Sequence, residues 1–238
     1  MGKKGLLGLA LAGLVPLTAF LIFKFFGDKV QIMPRHYYMD STRTHTEEGK
    51  LITDTVWHKA ASITLVNQLG QTVSLDSIRG ISDTSRNKIL VADFFFTRCP
   101  SICPTLTKNM RKLQQSFMKQ PDYVQFLSFS VDPERDSVPV LKRYTDKYNI
   151  NHNNWWFLTG PKKTIYDFAL NEVKLGLQDG NGVDSNFIHT PKFVLMDRNR
   201  VIRGYYNGLD STDMLRLLDD VVFLNMESQK GKPKRKLF

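Results

Sequence analysis

The chain has 238 residues, with 33 Lys and Arg against 23 Asp and Glu, a net charge of +10, and 42% hydrophobic residues. That length suits one domain with extra segments, and the ordinary apolar content is enough for a full hydrophobic core. The charge alone would suggest nucleic acid. No zinc-finger, RNP or helix-turn-helix pattern accompanies it, and much of the excess sits at the two chain ends, so nucleic acid is set aside as a partner.

The first predicted element is the apolar segment 5–26. From Gly5 to Phe23 there is no charged residue. As a helix this stretch is about 28 Å long, close to the ~30 Å hydrocarbon thickness of a bilayer. Lys24 can snorkel at one end. Lys3, Lys4 and the amino terminus favour the cytoplasmic side, a bias that Lys24 and Lys29 weaken. The alternative is a cleaved signal peptide, but the run is long for one and no small-x-small site follows it at Phe25-Phe26-Gly27-Asp28. The expectation is an uncleaved transmembrane helix, with the bulk of the chain exported into the periplasm or an equivalent compartment, where cysteine redox state matters.

Residues 28–60 show no clear period and read as a stalk that docks on the domain through Tyr37, Tyr38 and Trp57. His36, His45 and His58 lie here at spacings that fit no ligand motif, and they read as surface histidines. From Ser62 the pattern becomes regular. Ile63 and Leu65, then Val73 and Leu75, alternate around Asn67-Gln68-Leu69-Gly70-Gln71, which predicts a β-hairpin. Residues 88–96 form a near-continuous apolar run, the signature of a strand buried on both faces. Leu106, Met110, Leu113 and Phe117 give a helical stripe to about Lys119. Strand 124–131, the loop Asp132-Pro133-Glu134-Arg135-Asp136-Ser137 and a helix to Tyr148 follow, with Pro139 in its first turn and Asp136 or Ser137 as cap. The short strand Trp155-Trp156-Phe157-Leu158, a helix from Lys162 to about Val173, strands 192–196 and 201–206, and a helix marked by Met214, Leu217, Leu218, Val221 and Val222 complete the order. The tail, with Lys230, Lys232, Lys234, Arg235 and Lys236, is expected to be disordered. The domain plan is therefore an anchor at 1–27, a stalk at 28–60, an α/β domain at 61–226 and a basic tail at 227–238.

Cys99-Pro100-Ser101-Ile102-Cys103-Pro104 stands where the central strand gives way to the first long helix, and it holds the only two cysteines. An i,i+4 pair lies on nearly one face of a helix. It is placed to close a disulfide or to hold a soft metal ion between two thiolates. A dithiol at the start of the helix that follows a central strand is the thioredoxin-like arrangement. The helix N-terminus, with Arg98 beside it, favours a thiolate, and the flanking prolines and loop position predict exposed sulfurs. His189 lies in the loop before strand 192–196, which faces the dithiol in such a sheet. Two thiolates and an imidazole suit copper, as Cu(I) or Cu(II). With so few strong ligands, a closed four-ligand zinc site is disfavoured. Pro191 occupies the place of the cis-proline of thioredoxins, and a cis Thr190–Pro191 bond is expected from it.

Three segments together carry a resemblance: Phe96-Thr97-Arg98-Cys99-Pro100-Ser101-Ile102-Cys103-Pro104, Ser130-Val131-Asp132-Pro133-Glu134-Arg135-Asp136, and His189 ahead of Phe193-Val194-Leu195-Met196-Asp197. Over roughly residues 60–225 the chain resembles the Sco/SenC family. These are thioredoxin-like copper-handling proteins that serve assembly of the binuclear copper centre in cytochrome c oxidase subunit II. The resemblance implies an α/β thioredoxin-like fold with an additional N-terminal β-hairpin behind one membrane helix. It puts the metal ligands on Cys99, Cys103 and His189, names subunit II or a similar copper acceptor as partner, and leaves the copper donor unknown. Family members often have His and Asp where this chain has Arg98 and Ser101, which makes the site more positive here. The family suggests a site-lining carboxylate in the second segment. Asp132 is the candidate, against a turn-forming role, and Asp136 is read as the helix cap. Trp155, Trp156 and Met196 read as packing residues.

Two functions remain open. The first is a copper metallochaperone using all three ligands. The second is a membrane-anchored thiol–disulfide oxidoreductase, with Cys99 attacking and Cys103 resolving, that keeps the oxidase cysteines reduced. A thiol peroxidase is disfavoured, because its threonine stands three residues before the cysteine and Thr97 stands two before Cys99.

Overall fold

The computed structural model describes residues 14–21, 34–47, 49–79, 87–175 and 190–230. The chain forms two compact units, residues 1–33 and 34–238. In the first, residues 14–21 are helical and the rest of the segment 5–26 lies outside the described residues. Among the described residues no helix is long and apolar enough to cross a membrane.

The second unit opens with β1 (Met39–Glu47) and β2 (Lys50–Trp57), an antiparallel pair that joins no other strand among the described residues. The sequence reading gave this stretch no regular structure. Its signal is a run of β-branched residues, Thr42, Thr44, Thr46, Ile52, Thr53, Thr55 and Val56, around a turn at Gly49 with φ of 77°. Every residue of β1 is exposed, so no apolar alternation marks it. The segment before the arm docks as expected through Tyr37, edge-on to Tyr205 at 5.2 Å between centroids, and through Tyr38, which packs on the core. Trp57 stacks instead on His36. His58 sits between Asp40 and Glu172, and His45 lies 3.4 Å from Asp54. Both thus pair with carboxylates.

The main sheet has β3 (Thr64–Asn67), β4 (Thr72–Ser74), β5 (Ile89–Phe95), β6 (Val124–Ser130), β7 (Trp155–Thr159), β8 (Lys192–Met196) and β9 (Ile202–Asn207), ordered β4-β3-β7-β6-β5-β8-β9. The three central strands are parallel; β3 and β8 run antiparallel to them, and each pairs antiparallel with an outer strand, β4 or β9. The β3–β4 hairpin turns at Gly70, φ 76°, where the Asn67 side chain accepts from the Leu69 and Gln71 amides. Helices α1 (Cys103–Ser116), α2 (Val138–Lys147), α3 (Lys162–Asp167) and α4 (Ser211–Lys230) cover the sheet. A single π-helical turn, Phe168–Glu172, continues α3, where a plain helix is expected from the sequence. The last helix runs to Lys230, into the segment assigned to the tail. The architecture is mixed α/β and thioredoxin-like, with β3–β4 as the added hairpin.

Side chains alternate across a strand, and β5 shows what this does here. Leu90, Ala92 and Phe94 enter one core with Ile165, Phe168 and Tyr205. Ile89, Val91 and Phe95 enter the other, with Leu106 and Met110 of α1, Leu141 of α2 and Leu217 and Val221 of α4. Trp155 is fully buried and Trp156 partly so, and Met196 is buried in the first core, all as packing residues. Gly208, after β9, is required by close approach. A Cβ there would lie 2.6 Å from Leu106 Cδ2 and 2.7 Å from Phe193 Cζ, both buried. Gly208→Ala is expected to cost about 1–3 kcal/mol through overpacking, read as a lower urea midpoint, and an unchanged midpoint would show that the core yields at this point.

Candidate functional site

The CxxxC segment leaves the sheet at the C-terminal end of β5. The β5–β6 ladder ends at the pair Phe95–Ser130, and α1 begins at Cys103 with Pro104 in its first turn. Cys103 therefore sits in the first turn of the helix, as the spacing predicts. The expectation of exposed sulfurs is corrected, since Cys99 is 8% exposed and Cys103 1%. The cause is packing. The face of α1 that carries Leu106 and Met110 onto the sheet also carries Cys103, three residues before Leu106, and Cys99 folds into the same cluster. Both thiols are free.

Their electrostatics differ. Burial opposes ionisation of Cys99, but hydrogen bonds from the Cys103 thiol, from the backbone amides of Cys103 and Ser101 and from the Ser101 hydroxyl outweigh it and bring the thiol down to about 7. The Ser101 oxygen lies 3.7 Å from the Cys99 sulfur. Arg98 is exposed, and these hydrogen bonds rather than its charge lead the effect. Burial pushes Cys103 up to about 12, against the Phe96 backbone and with help from Cys99 and the negative charge available at Asp93. The pair thus has one readily ionised sulfur and one that holds its proton.

Asp93 is the single acid in the apolar run of β5 and is 2% exposed. Strand alternation places it on the face that carries the dithiol cluster. The Ser128 hydroxyl donates to it at 2.5 Å, and the Trp155 indole donates to Ser128 at 2.9 Å. Burial raises its carboxyl to about 7, against the hydrogen bond from Ser128. The sequence reading passed over it, although a lone carboxylate within a strand buried on both faces was the available signal.

The two aspartates of the second motif differ in what their side chains meet. The Asp132 carboxylate takes a 3.3 Å hydrogen bond from Arg135. The sequence makes Asp136 the expected cap of α2. The cap position of α2 is Ser137, with no side-chain cap bond, and Asp136 turns to the CxxxC segment instead. It is fully buried and accepts from the Thr97 amide at 3.1 Å, the Thr97 hydroxyl at 2.5 Å and the Ser130 hydroxyl at 2.6 Å.

His189 lies outside the described residues. Its neighbours do not. Strand β8 runs antiparallel to β5, with Leu90, Val91 and Ala92 opposite Met196, Leu195 and Val194. The antiparallel pairing turns the start of β8 toward the end of β5, from which the dithiol segment departs. Phe193 packs in the same cluster as both cysteines. No cis peptide bond occurs among the described residues, so Thr190–Pro191 is trans and the expected cis bond is corrected. The Pro191 carbonyl accepts from the Gly208 amide at 2.7 Å, which extends the β8–β9 pairing past the strand end.

The family model described as SCO1/SenC matches residues 53–220. A SCO1 protein homolog of Bacillus subtilis (strain 168) is 34% identical over 174 residues, 73% of this chain and 86% of its own length. The solved structure of BsSco superposes with a TM-score of 0.58 at 33% identity, covering 71% of this chain and 94% of that one. It is described as a member of the Sco family of cytochrome c oxidase assembly proteins in which a disulfide switch was identified. Yeast Sco1, solved with copper bound, shares the fold at a TM-score of 0.52 and 19% identity, over 75% of this chain and 96% of that one. With the dithiol at the mouth of α1, the DPERD loop bonded to Thr97 ahead of it and a family match over residues 53–220, this chain belongs to the SCO1/SenC family.

Proposed function

We propose that this protein carries copper through Cys99, Cys103 and His189 and delivers it to a copper acceptor of the subunit II type in cytochrome c oxidase. The observation that carries this reading is the dithiol itself: two free, buried sulfurs four residues apart at a helix start, one of them near 7. Soft thiolates select copper over harder ions, and a neutral imidazole is the nitrogen donor that suits it. The donor set fits the metal, and the β5–β8 register supports His189 as the third donor. Cys99, the more exposed and more readily ionised sulfur, leads ligand exchange, while Cys103 stays seated in the core. The segment 5–26 is proposed as the membrane anchor, with the domain on the exported side.

The asymmetry of the two thiols favours a second reading as well. A low thiol that attacks and a high one that resolves is the arrangement of a thiol–disulfide oxidoreductase. Its substrate would be a disulfide in the acceptor's own copper site. His189 separates the two readings, because dithiol exchange does not need it. The reduced full chain in detergent is expected to bind one copper. His189→Ala is expected to lower that affinity by at least the 10–100-fold that follows loss of a supporting group around a metal, and to leave disulfide formation intact. Competition with a chromophoric copper chelator measures the first, and thiol titration after oxidation the second. Wild-type copper affinity in His189→Ala, together with copper binding retained by Cys99→Ser, would overturn the copper reading.

A further inference from the structure

We propose that Asp136 is a positioning residue for the dithiol: it carries the order of the sheet past the end of β5 and holds Cys99 where it meets Cys103. The proposal rests on the dithiol being the functional group, whichever of the two readings above is correct. Thr97 is two residues beyond the last β5–β6 pair and two residues before Cys99. Both its amide and its hydroxyl donate to Asp136, and Ser130, the β6 residue opposite Phe95, donates to the same carboxylate. One further tie, from the Val131 amide to the Phe95 carbonyl at 2.9 Å, binds the same two segments. Asp136 thus clamps the first residue of the CxxxC turn to the end of the neighbouring strand.

The chemistry of the clamp indicates its purpose. Asp136 is fully buried, and among the described residues no cation forms an ion pair with it. Burying a carboxylate without a cation is costly, and three hydrogen bonds offset the cost only if all three are made. A helix cap would need none of this, and α2 has no side-chain cap. Fixing the turn raises the effective concentration of one sulfur at the other. The same gain stabilises a disulfide and a copper ion held by both sulfurs. Asp136 therefore acts through Thr97 on either chemistry and touches neither the sulfurs nor the metal.

The test is the dithiol–disulfide equilibrium of the full chain in detergent against glutathione. One oxidised glutathione takes up the two electrons and two protons that Cys99 and Cys103 give up, and becomes two reduced glutathiones. Asp136→Asn keeps the size of the side chain but offers one oxygen in place of two. It is expected to shift this constant about tenfold toward the dithiol, about 30 mV for a two-electron couple, and to weaken copper binding by a similar factor. Thr97→Val, which leaves the carboxylate in place, is expected to shift both in the same direction by less. The double variant should do no worse than Asp136→Asn alone, because the two residues act as a unit. Ile165→Ala, in the core on the opposite face of the sheet from the dithiol, supplies the control of a core stability loss with an unchanged constant. If Asp136→Asn and Thr97→Val keep the wild-type constant and differ only in urea midpoint, Asp136 is structural and the proposal fails. A wild-type protein that binds no copper would overturn the copper reading alone, since the glutathione constant still decides the role of Asp136.

Discussion

Cys103→Ser is expected to abolish copper binding and disulfide formation together while the domain stays folded. A serine oxygen is a hard donor that keeps its proton at neutral pH, so the site loses one of its two soft anionic ligands. Losing a supporting group around a metal already costs 10–100-fold in affinity, and losing a ligand is expected to cost at least about 100-fold. The fold should tolerate the change, since serine is close in size and the cost of burying its hydroxyl is about 1–3 kcal/mol. Oxidation of the wild type to the Cys99–Cys103 disulfide should have the same effect on copper, and reduction should restore it. A copper titration of reduced, oxidised and Cys103→Ser protein, beside a urea curve for each, measures this. Copper held at wild-type affinity by Cys103→Ser would remove the dithiol from the metal site.

The second large effect concerns pH. In the fold Asp93 titrates at about 7, against 3.8 as its ordinary value, because its carboxyl is buried. The folded chain therefore keeps the proton to a higher pH than the unfolded chain does. The stability this group contributes is complete below about pH 4, declines as pH rises, and is gone above about pH 7. The difference corresponds to about 4 kcal/mol. Asp93→Asn does not titrate, and its amide oxygen still accepts from Ser128. Relative to wild type, the variant is expected to gain about 4 kcal/mol of stability between pH 4 and pH 8, read from urea unfolding at a series of pH values. Parallel curves for the two proteins over that range would mean that the Asp93 carboxyl is not held protonated by the fold.

The strand–helix–strand centre was legible because its residues are buried on both faces. The apolar run 88–96 appears as Ile89–Phe95, and the stripe through Leu106 and Met110 as Cys103–Ser116. Burial imposes a pattern that the sequence must show. The arm of β1 and β2 escaped notice for the opposite reason: a ribbon with solvent on both faces has no apolar period. Prolines beside the cysteines suggest exposure, but Pro104 only begins a helix whose inner face then buries Cys103. The buried aspartate of the DPERD loop, Asp136, is the hardest to place. Asp132 and Asp136 have similar local settings, and what separates them is Thr97, 39 residues from Asp136 and brought to it by the parallel pairing of β5 with β6. No local signal records such a partner. His189 lies outside the described residues, and its proposed part as a ligand comes from its motif.

Arg203 of β9 is 4% exposed and donates to the carbonyls of Pro34 and Arg35 while pairing with Asp197 and Glu227. This fixes how mechanical load would enter the domain. A pull on the chain ahead of Pro34 is taken up first by this guanidinium and passed to the edge strand β9 and to α4 through Glu227. The dithiol segment hangs from β5, separated from that edge by β8. A load applied at Pro34 would therefore meet the margin of the sheet before the strand that carries the two sulfurs.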